Sequence, residues 1–377
     1  MTIDDLDTPC LLIEERRLSE NLGRMQRRAR VEGLALRPHT KTHKMVALAS
    51  MQRSCGAQGI TVAKAGEAAV FAREGFDDIC IAYTVVGRDK LERIAGLPAS
   101  VSFCVDSLEA AQQASAVFSG RQCEAQVLLE VDSGYGRCGR RWDDPLLVRF
   151  AQAVADLPGL VLTGILTHEG NAYQPGQARH VMVETRDRML DVAVRLGSAG
   201  VATPGKFTVS VGSTPSACCF RNTHRGDFRI TEIRPGNYVF NDMIQVNLGV
   251  CTLQACALTV LTTVISRHRD PDGTERFFLD AGRKVLTSDL APLSGMYGKL
   301  LYSSSRMVPH PHARLISLSE EHGWGVVPGG GTFAVGDRVR VVPNHACVTV
   351  NTQDEVYVVD GDHVKAVWRV DARGCVQ

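Results

Sequence analysis

Short apolar runs recur through the first two-thirds of the chain, and stretches with apolar residues at helical spacing separate most of them. Strand-like runs are predicted near residues 34–37, 59–62, 79–83, 101–105, 126–131, 160–167, 208–211 and 231–233. Amphipathic helical stretches fall between them, for example at 63–74, 107–117, 144–157 and 181–199. Eight strands alternating with helices predict an α/β fold, a (β/α)8 TIM-like barrel over residues 14–252 whose functional loops follow the strands. An open doubly wound sheet is the structural alternative. It is disfavoured because no GxGxxG follows the first strand.

The pattern changes after residue 253. Short β-type runs at 257–266, 276–280, 314–318, 338–342, 355–359 and 365–370 are separated by turns such as Asp270-Pro271-Asp272-Gly273 and Asp360-Gly361-Asp362. This predicts a C-terminal all-β domain over 253–377, to which residues 1–13 add a strand.

Composition narrows the class. A length of 377 residues suggests more than one core, and 44% hydrophobic with 22% charged residues is ordinary for a globular enzyme. Lys+Arg 42 against Asp+Glu 41 leaves no global field to attract nucleic acid or an anionic membrane. Residues 146–167, the longest apolar region, are broken by Arg149, Asp156, Pro158 and Gly159 and cannot span a bilayer. The acidic N-terminus lacks a signal-peptide core, and the twelve cysteines show no CxxC spacing. Most are expected to be buried thiols of a cytoplasmic protein.

The chemistry concentrates at strand ends. Arg37-Pro38-His39-Thr40-Lys41-Thr42-His43-Lys44 follows the first barrel strand. A lysine there reads equally as part of a basic loop or, lowered in pKa by desolvation or cations, as a Schiff-base nucleophile. Val211-Gly212-Ser213-Thr214-Pro215-Ser216 ends the seventh strand and Arg234-Pro235-Gly236-Asn237-Tyr238 the eighth. Each alone reads as a plain turn. Together, at the positions where such barrels hold phosphate, they read as a phosphate cradle. Asp132-Ser133-Gly134-Tyr135-Gly136-Arg137-Cys138-Gly139 presents Arg137, which either donates to a phenolate or carboxylate or braces its own loop. His168, at the end of the sixth strand, is an acid/base group, a ring-stacking group or a structural histidine. His345 and Cys347 would share one face of an extended stretch and form a borderline-soft donor pair suited to zinc, though not a complete site. Glu320-Glu321-His322-Gly323 gathers polar groups without an assignable role.

With these motifs in order, the sequence resembles the D-threonine aldolase/D-serine dehydratase family of alanine-racemase-like, fold type III pyridoxal-phosphate enzymes. The markers are Arg37–Lys41, Gly134–Gly139, Gly212-Ser213-Thr214-Pro215, Pro235–Tyr238, Asp280-Ala281-Gly282, Glu321-His322-Gly323 and the His345/Cys347 pair. They cover the chain from Asp7-Thr8-Pro9 to Trp368. The resemblance implies a homodimer with active sites at its interface and pyridoxal 5'-phosphate held by Lys41 as a Schiff base. It implies that Ser213, Thr214, Gly236 and Asn237 take the phosphate and Arg137 the phenolic oxygen, with His168 and Tyr238 also expected among the cofactor-binding residues. His345 and Cys347 would hold a divalent metal, zinc or manganese.

The implied substrate is a D-3-hydroxy amino acid. Lys41 would take its α-proton while the metal draws off the β-hydroxyl, giving a 2-oxo acid and ammonia. The alternative is a D-threonine-type aldolase, in which His168 or His322 deprotonates the hydroxyl and glycine leaves with an aldehyde. His-x-Cys and Gly-Ser-Thr-Pro resemble the dehydratases, which favours that outcome. An amino-acid racemase and a non-catalytic pyridoxal-phosphate carrier are remoter alternatives. Arg283-Lys284, the polar segment 288–297 and Arg221, Arg225 and Arg229 depart from the family pattern. Any of these cations entering the pocket would suit a second substrate carboxylate, as in 3-hydroxy-D-aspartate.

Overall fold

Runs such as Ile79-Cys80-Ile81 and Val127-Leu128-Leu129 have no polar alternation because strands of a parallel barrel are covered on both faces, and these residues are buried. The computed structural model describes residues 1–331 and 333–377, with every side chain among them except that of Ser303. It divides into two compact units, one of residues 25–41, 46–236 and 374–377 and the other of residues 1–24, 42–45 and 237–373.

Strand β1 (Cys10–Glu14) belongs to the second unit. The first unit carries β2 (Ala35–Leu36), β3 (Ile60–Val62), β4 (Asp78–Thr84), β5 (Ser100–Val105), β6 (Ala125–Asp132), β7 (Leu160–Leu166), β8 (Thr208–Val211) and β9 (Glu232–Ile233). All eight expected strands are present. They pair in parallel in the order β2-β9-β8-β7-β6-β5-β4-β3. The ring closes through a parallel bridge between His39 and Thr61, supported by Gln58 N–H to Leu36 O at 2.8 Å and Thr61 N–H to Pro38 O at 2.8 Å. Inside, Cys80, Cys104, Leu128 and Leu166 form one buried layer, one residue from each of four adjacent strands. Of the twelve free thiols only Cys10, Cys80, Cys104 and Cys256 are fully buried, fewer than expected. Cys55 and Cys138 are exposed on loops.

In the second unit β1 runs antiparallel to β10 (Leu258–Arg269) and parallel to β16 (Glu355–Asp360), so Leu11, Leu12 and Ile13 are covered on both sides. The sheet continues through β15 (Arg338–Val342) to β12 (Lys299–Ser303), and from β16 to β17 (His363–Arg369). The far half of β10, past a bulge at Val264/Ser266, pairs with β11 (Glu275–Leu279). The sheet then runs to β14 (Gly323–Val327) and β13 (Arg314–Leu318). Strands β12 and β14 have no expected counterpart, because Gly323 and Gly325 interrupt the apolar pattern of β14. A Cβ on Gly325 would stand 2.0 Å from the Phe277 ring. The glycine is the room that ring occupies.

Two of the motif segments are structural here. Asp280 accepts from Thr8 Oγ1 at 2.6 Å, Thr262 Oγ1 at 2.5 Å and Thr263 N–H at 2.9 Å, tying the turn after β11 to the N-terminal segment. A Cβ on Gly282 would meet Glu320 O at 2.3 Å. Asp280-Ala281-Gly282 and Glu321-His322-Gly323 are therefore two backbones in close approach.

Candidate active site

At the C-terminal ends of β2 to β9 a cavity of about 400 Å³ opens in the barrel unit. Lys41 lines it from the 3-10 turn Thr40–Thr42, directly after β2. That turn is anchored by Thr40 Oγ1 donating to Thr61 O at 3.0 Å. His39 and His168 also line the cavity, and both are buried. Burial holds His39 well below the usual imidazole range, with the charges of Lys41 and Arg234 acting in the same direction. Burial, then Lys41, Arg137 and Arg234, depress His168 to about 3. Both rings are neutral near pH 7. The His168 ring meets Tyr135 edge-on, with centroids 6.1 Å apart.

Arg137 reaches the cavity from the loop after β6. The loop is braced without it: Asp132 Oδ1 accepts the N–H groups of Gly134, Tyr135 and Gly136 at 2.9, 2.9 and 3.0 Å. Gly139 sits at φ +97°, where a Cβ would stand 2.8 Å from Glu130 O. Arg137, about half exposed, faces Glu130 at 3.7 Å and the Tyr135 ring at 5.8 Å. Burial raises the Glu130 carboxyl, which accepts from Thr84 Oγ1 at 2.8 Å.

Gly212 is held at φ +131°, with a virtual Cβ 2.7 Å from Arg234 N, so only glycine lets the β8 and β9 ends approach this closely. Ser213 and Ser216 cap each other across the first turn of helix Thr214–Cys219. The Thr214 hydroxyl is buried without a hydrogen-bond partner among the described residues, the orphan expected of a group that awaits an anion. Gly236 is the last residue of the unit's long segment 46–236.

Sequence reasoning held Arg234 only as the first residue of the motif after the eighth strand and gave no role to Glu130 or Glu169; all three lie in or behind this cavity. Arg234 is buried and donates to Ser210 Oγ, to Thr167 O at 2.5 Å and to Val211 O at 3.3 Å. The only signal was a charged residue directly after an apolar strand. Arg221 and Arg225 pair with Glu32 and Asp191, and none of Arg221, Arg225 and Arg229 lines the cavity, in keeping with a solvated basic face.

The second unit holds the remaining predicted residues. His345 and Cys347 are not on one extended stretch: His345 directly precedes helix Ala346–Asn351 and Cys347 lies in its first turn. Asp242 fixes that turn, accepting Ala346 N–H at 2.9 Å and Asn237 Nδ2 at 2.6 Å. Asn237 also faces Cys347 Sγ at 3.8 Å, and Cys347 contacts Thr42 Oγ1 at 3.3 Å. The Asn237 side chain is therefore turned to this cluster, which leaves its backbone for any phosphate contact. Tyr238 is buried in the same 3-10 turn. His345 Nδ1 lies 2.6 Å from Asp289 Oδ2, in the polar segment 288–297. Burial opposes charge on both groups of the pair. The Cys347 thiolate, Asp242 and Asp289 outweigh it and raise His345 to about 10, while His345 holds the Cys347 thiol below its usual range.

This donor chemistry fits a divalent metal: a thiolate, and an imidazole whose Nδ1 is engaged by a carboxylate so that Nε2 is left for the ion. Among the described residues no cluster of three or more His, Cys, Asp or Glu side chains completes the set, so open positions would fall to water or substrate. His322 is exposed at the turn before β14, and its imidazole is not gathered with the other predicted residues of its unit. Arg283 donates to Leu318 O, and Lys284 pairs with Glu321.

A barrel with a strand-end lysine, an anion cradle and a following β unit that bears a soft donor pair defines an alanine-racemase-like protein. The family described as alanine racemase, N-terminal domain, matches residues 13–243, and that described as putative serine dehydratase domain matches residues 257–359. The D-threo-3-hydroxyaspartate dehydratase of Delftia sp. (strain HT23) is 34% identical over 366 residues, covering 92% of this chain and 93% of the relative. The D-threonine aldolase of an Arthrobacter species is 32% identical over 98% of this chain and 93% of its own. A solved structure of a D-threo-3-hydroxyaspartate dehydratase, a cysteine-to-alanine mutant in the metal-free form, matches with a TM-score of 0.86 and 33% identity over 98% of both chains. The chain belongs to the D-threonine aldolase/D-serine dehydratase family, as its motifs suggested. Among its described residues no helix is long and apolar enough to cross a membrane.

Proposed function

We propose that the chain is a pyridoxal-phosphate- and divalent-metal-dependent lyase that dehydrates a D-3-hydroxy amino acid of the D-serine or 3-hydroxy-D-aspartate type to a 2-oxo acid and ammonia. The observation that carries this reading is Lys41 in a cationic 400 Å³ cavity lined also by two neutral histidines and by Gly212, two residues before Thr214. Lys41 would hold the cofactor aldehyde, Arg137 its phenolic oxygen, and Ser213, Thr214 and Gly236 with the Asn237–Tyr238 turn its phosphate. His345 and Cys347 would hold the metal. When bound, the cofactor supplies an electron sink for charge at the substrate α-carbon and the metal a Lewis acid for the β-hydroxyl. Lys41 Nζ removes the α-proton. His168 keeps a neutral ring against the bound groups and exchanges no proton near pH 7. Arg137 and Arg234 supply fixed positive charge.

The Arthrobacter relative supports a second reading, the aldolase. Incubation with D-serine, D-threonine and 3-hydroxy-D-aspartate, followed by assay of products, separates the two. A 2-oxo acid with ammonia is expected, and glycine with aldehyde as the dominant products would overturn the dehydratase reading.

Two supporting roles follow. Asp289 orients His345 for the metal, so Asp289→Asn is expected to weaken metal affinity about 10- to 100-fold. Competition with a chromogenic chelator measures this, and unchanged affinity would remove Asp289 from the site. A homodimer is proposed because Leu293 is 85% and Tyr302 72% exposed in the β unit, and because the single chain leaves Lys41 exposed. Sedimentation velocity should show a dimer at micromolar concentration. A monomer that retains full activity would refute it.

A further inference from the structure

We propose that Glu169 is a positioning residue for the cofactor phosphate, taking up a proton from solvent when the phosphate docks on the Ser213–Thr214 turn. The inference rests on the cofactor reading above. Glu169 is fully buried, and its Oε1 has no hydrogen-bond partner among the described residues. Its Oε2 accepts from Ser216 Oγ, and the N–H and hydroxyl of Ser213 also face the carboxyl. These are the groups that flank Thr214, so an ionised Glu169 draws on the donors the phosphate needs and places a negative charge behind it. Protonation at Oε2 reverses this. The new O–H donates to Ser216 Oγ and displaces the Ser213 N–H that donates to that oxygen at 3.1 Å, the Ser216 hydroxyl hydrogen turns to Ser213 O, 3.2 Å away, and the Ser213 N–H is released to the phosphate.

Burial pushes the carboxyl up to about 7, against the lowering effects of Ser216, Arg234 and Ser213. The charged and titratable neighbours are Arg234 from the end of β9, the adjacent neutral His168, and Cys219 on helix Thr214–Cys219, which itself feels Arg28 and Arg179. Cys219 is raised by burial and uncharged near pH 7. Below pH 7 Glu169 is already protonated, and phosphate binding needs no proton. Above pH 7 it is ionised, and each phosphate bound takes up one proton, so affinity falls as pH rises. The phosphate, with its second pKa about 6, is already a dianion there and adds no slope of its own.

The test measures dissociation constants of pyridoxal phosphate and of pyridoxal, by absorbance titration of apoprotein from pH 6.5 to 9. Taking their ratio cancels any titration of Lys41 or of the ring. In the natural chain the ratio is expected to climb above pH 7, approaching about tenfold per pH unit. In Glu169→Gln it should be flat. Ser216→Ala, which removes a contact that favours the ionised carboxylate, should move the climb to higher pH and serves if Glu169→Gln fails to fold. A flat ratio in the natural chain, a climb that persists in Glu169→Gln, or a climb that Ser216→Ala leaves at the same pH, overturns the inference. A natural chain that takes up neither compound overturns the cofactor reading with it.

Discussion

Lys41→Ala is expected to lower turnover by about 10³-fold or more and to abolish the visible absorbance that cofactor gives the natural protein. Two functions are lost together, the covalent anchor and the base for the α-proton. The loss should not be one of folding. Lys41 is exposed in a turn whose hold on the barrel comes from Thr40 Oγ1 to Thr61 O and from the His39–Thr61 bridge, neither of which uses the lysine side chain. Thermal denaturation should therefore be nearly unchanged, and added methylamine should restore part of the turnover by supplying a free amine base. A variant that stays yellow and keeps a tenth of its activity would assign the cofactor to another lysine.

The second large effect concerns the metal. Chelation is expected to reduce lyase activity by roughly 10³-fold, because a Lewis acid at a poor leaving group supplies several kcal/mol and each 1.36 kcal/mol is about tenfold. Zinc or manganese should restore it. Cys347→Ala should lose activity to a similar degree without recovering when metal is added. Without metal, the imidazolium–thiolate pair is stable by itself, since each charge supports the other against burial. The stripped protein should therefore remain folded, with its cofactor absorbance intact. Full activity in the presence of a strong chelator would remove His345 and Cys347 from the reaction.

The barrel was legible because its strands are short, doubly covered and continuous in apolar residues, so even β2 and β9, two residues each, sit inside the expected runs. Strand β14 was not legible, because Gly323 and Gly325 erase its side-chain pattern to admit Ala281 O and the Phe277 ring. Lys41, Arg137 and the Gly212–Thr214 turn could be read from residue type at strand ends. Arg234, Glu130 and Glu169 could not. Their meaning comes from partners far along the chain, such as Thr84 for Glu130 and Ser216 for Glu169. The same holds for Asp289, which meets His345 across 56 residues of sequence. His345 and Cys347 were recognised by spacing, although the backbone that joins them is a helix start. The motif Arg37–Lys44 also divides. His39 and Lys41 belong to the barrel cavity, while His43 and Lys44 are buried in the β unit and are not surface groups.

Every proposed step depends on one covalent bond, that between pyridoxal phosphate and Lys41. Borohydride reduction of the cofactor-loaded protein, followed by proteolysis and mass spectrometry, tests it directly. A pyridoxyl-phosphate adduct on the peptide bearing Lys41, and on no other lysine in comparable yield, is the predicted result. An adduct on a different lysine, or none in protein saturated with cofactor, would contradict it.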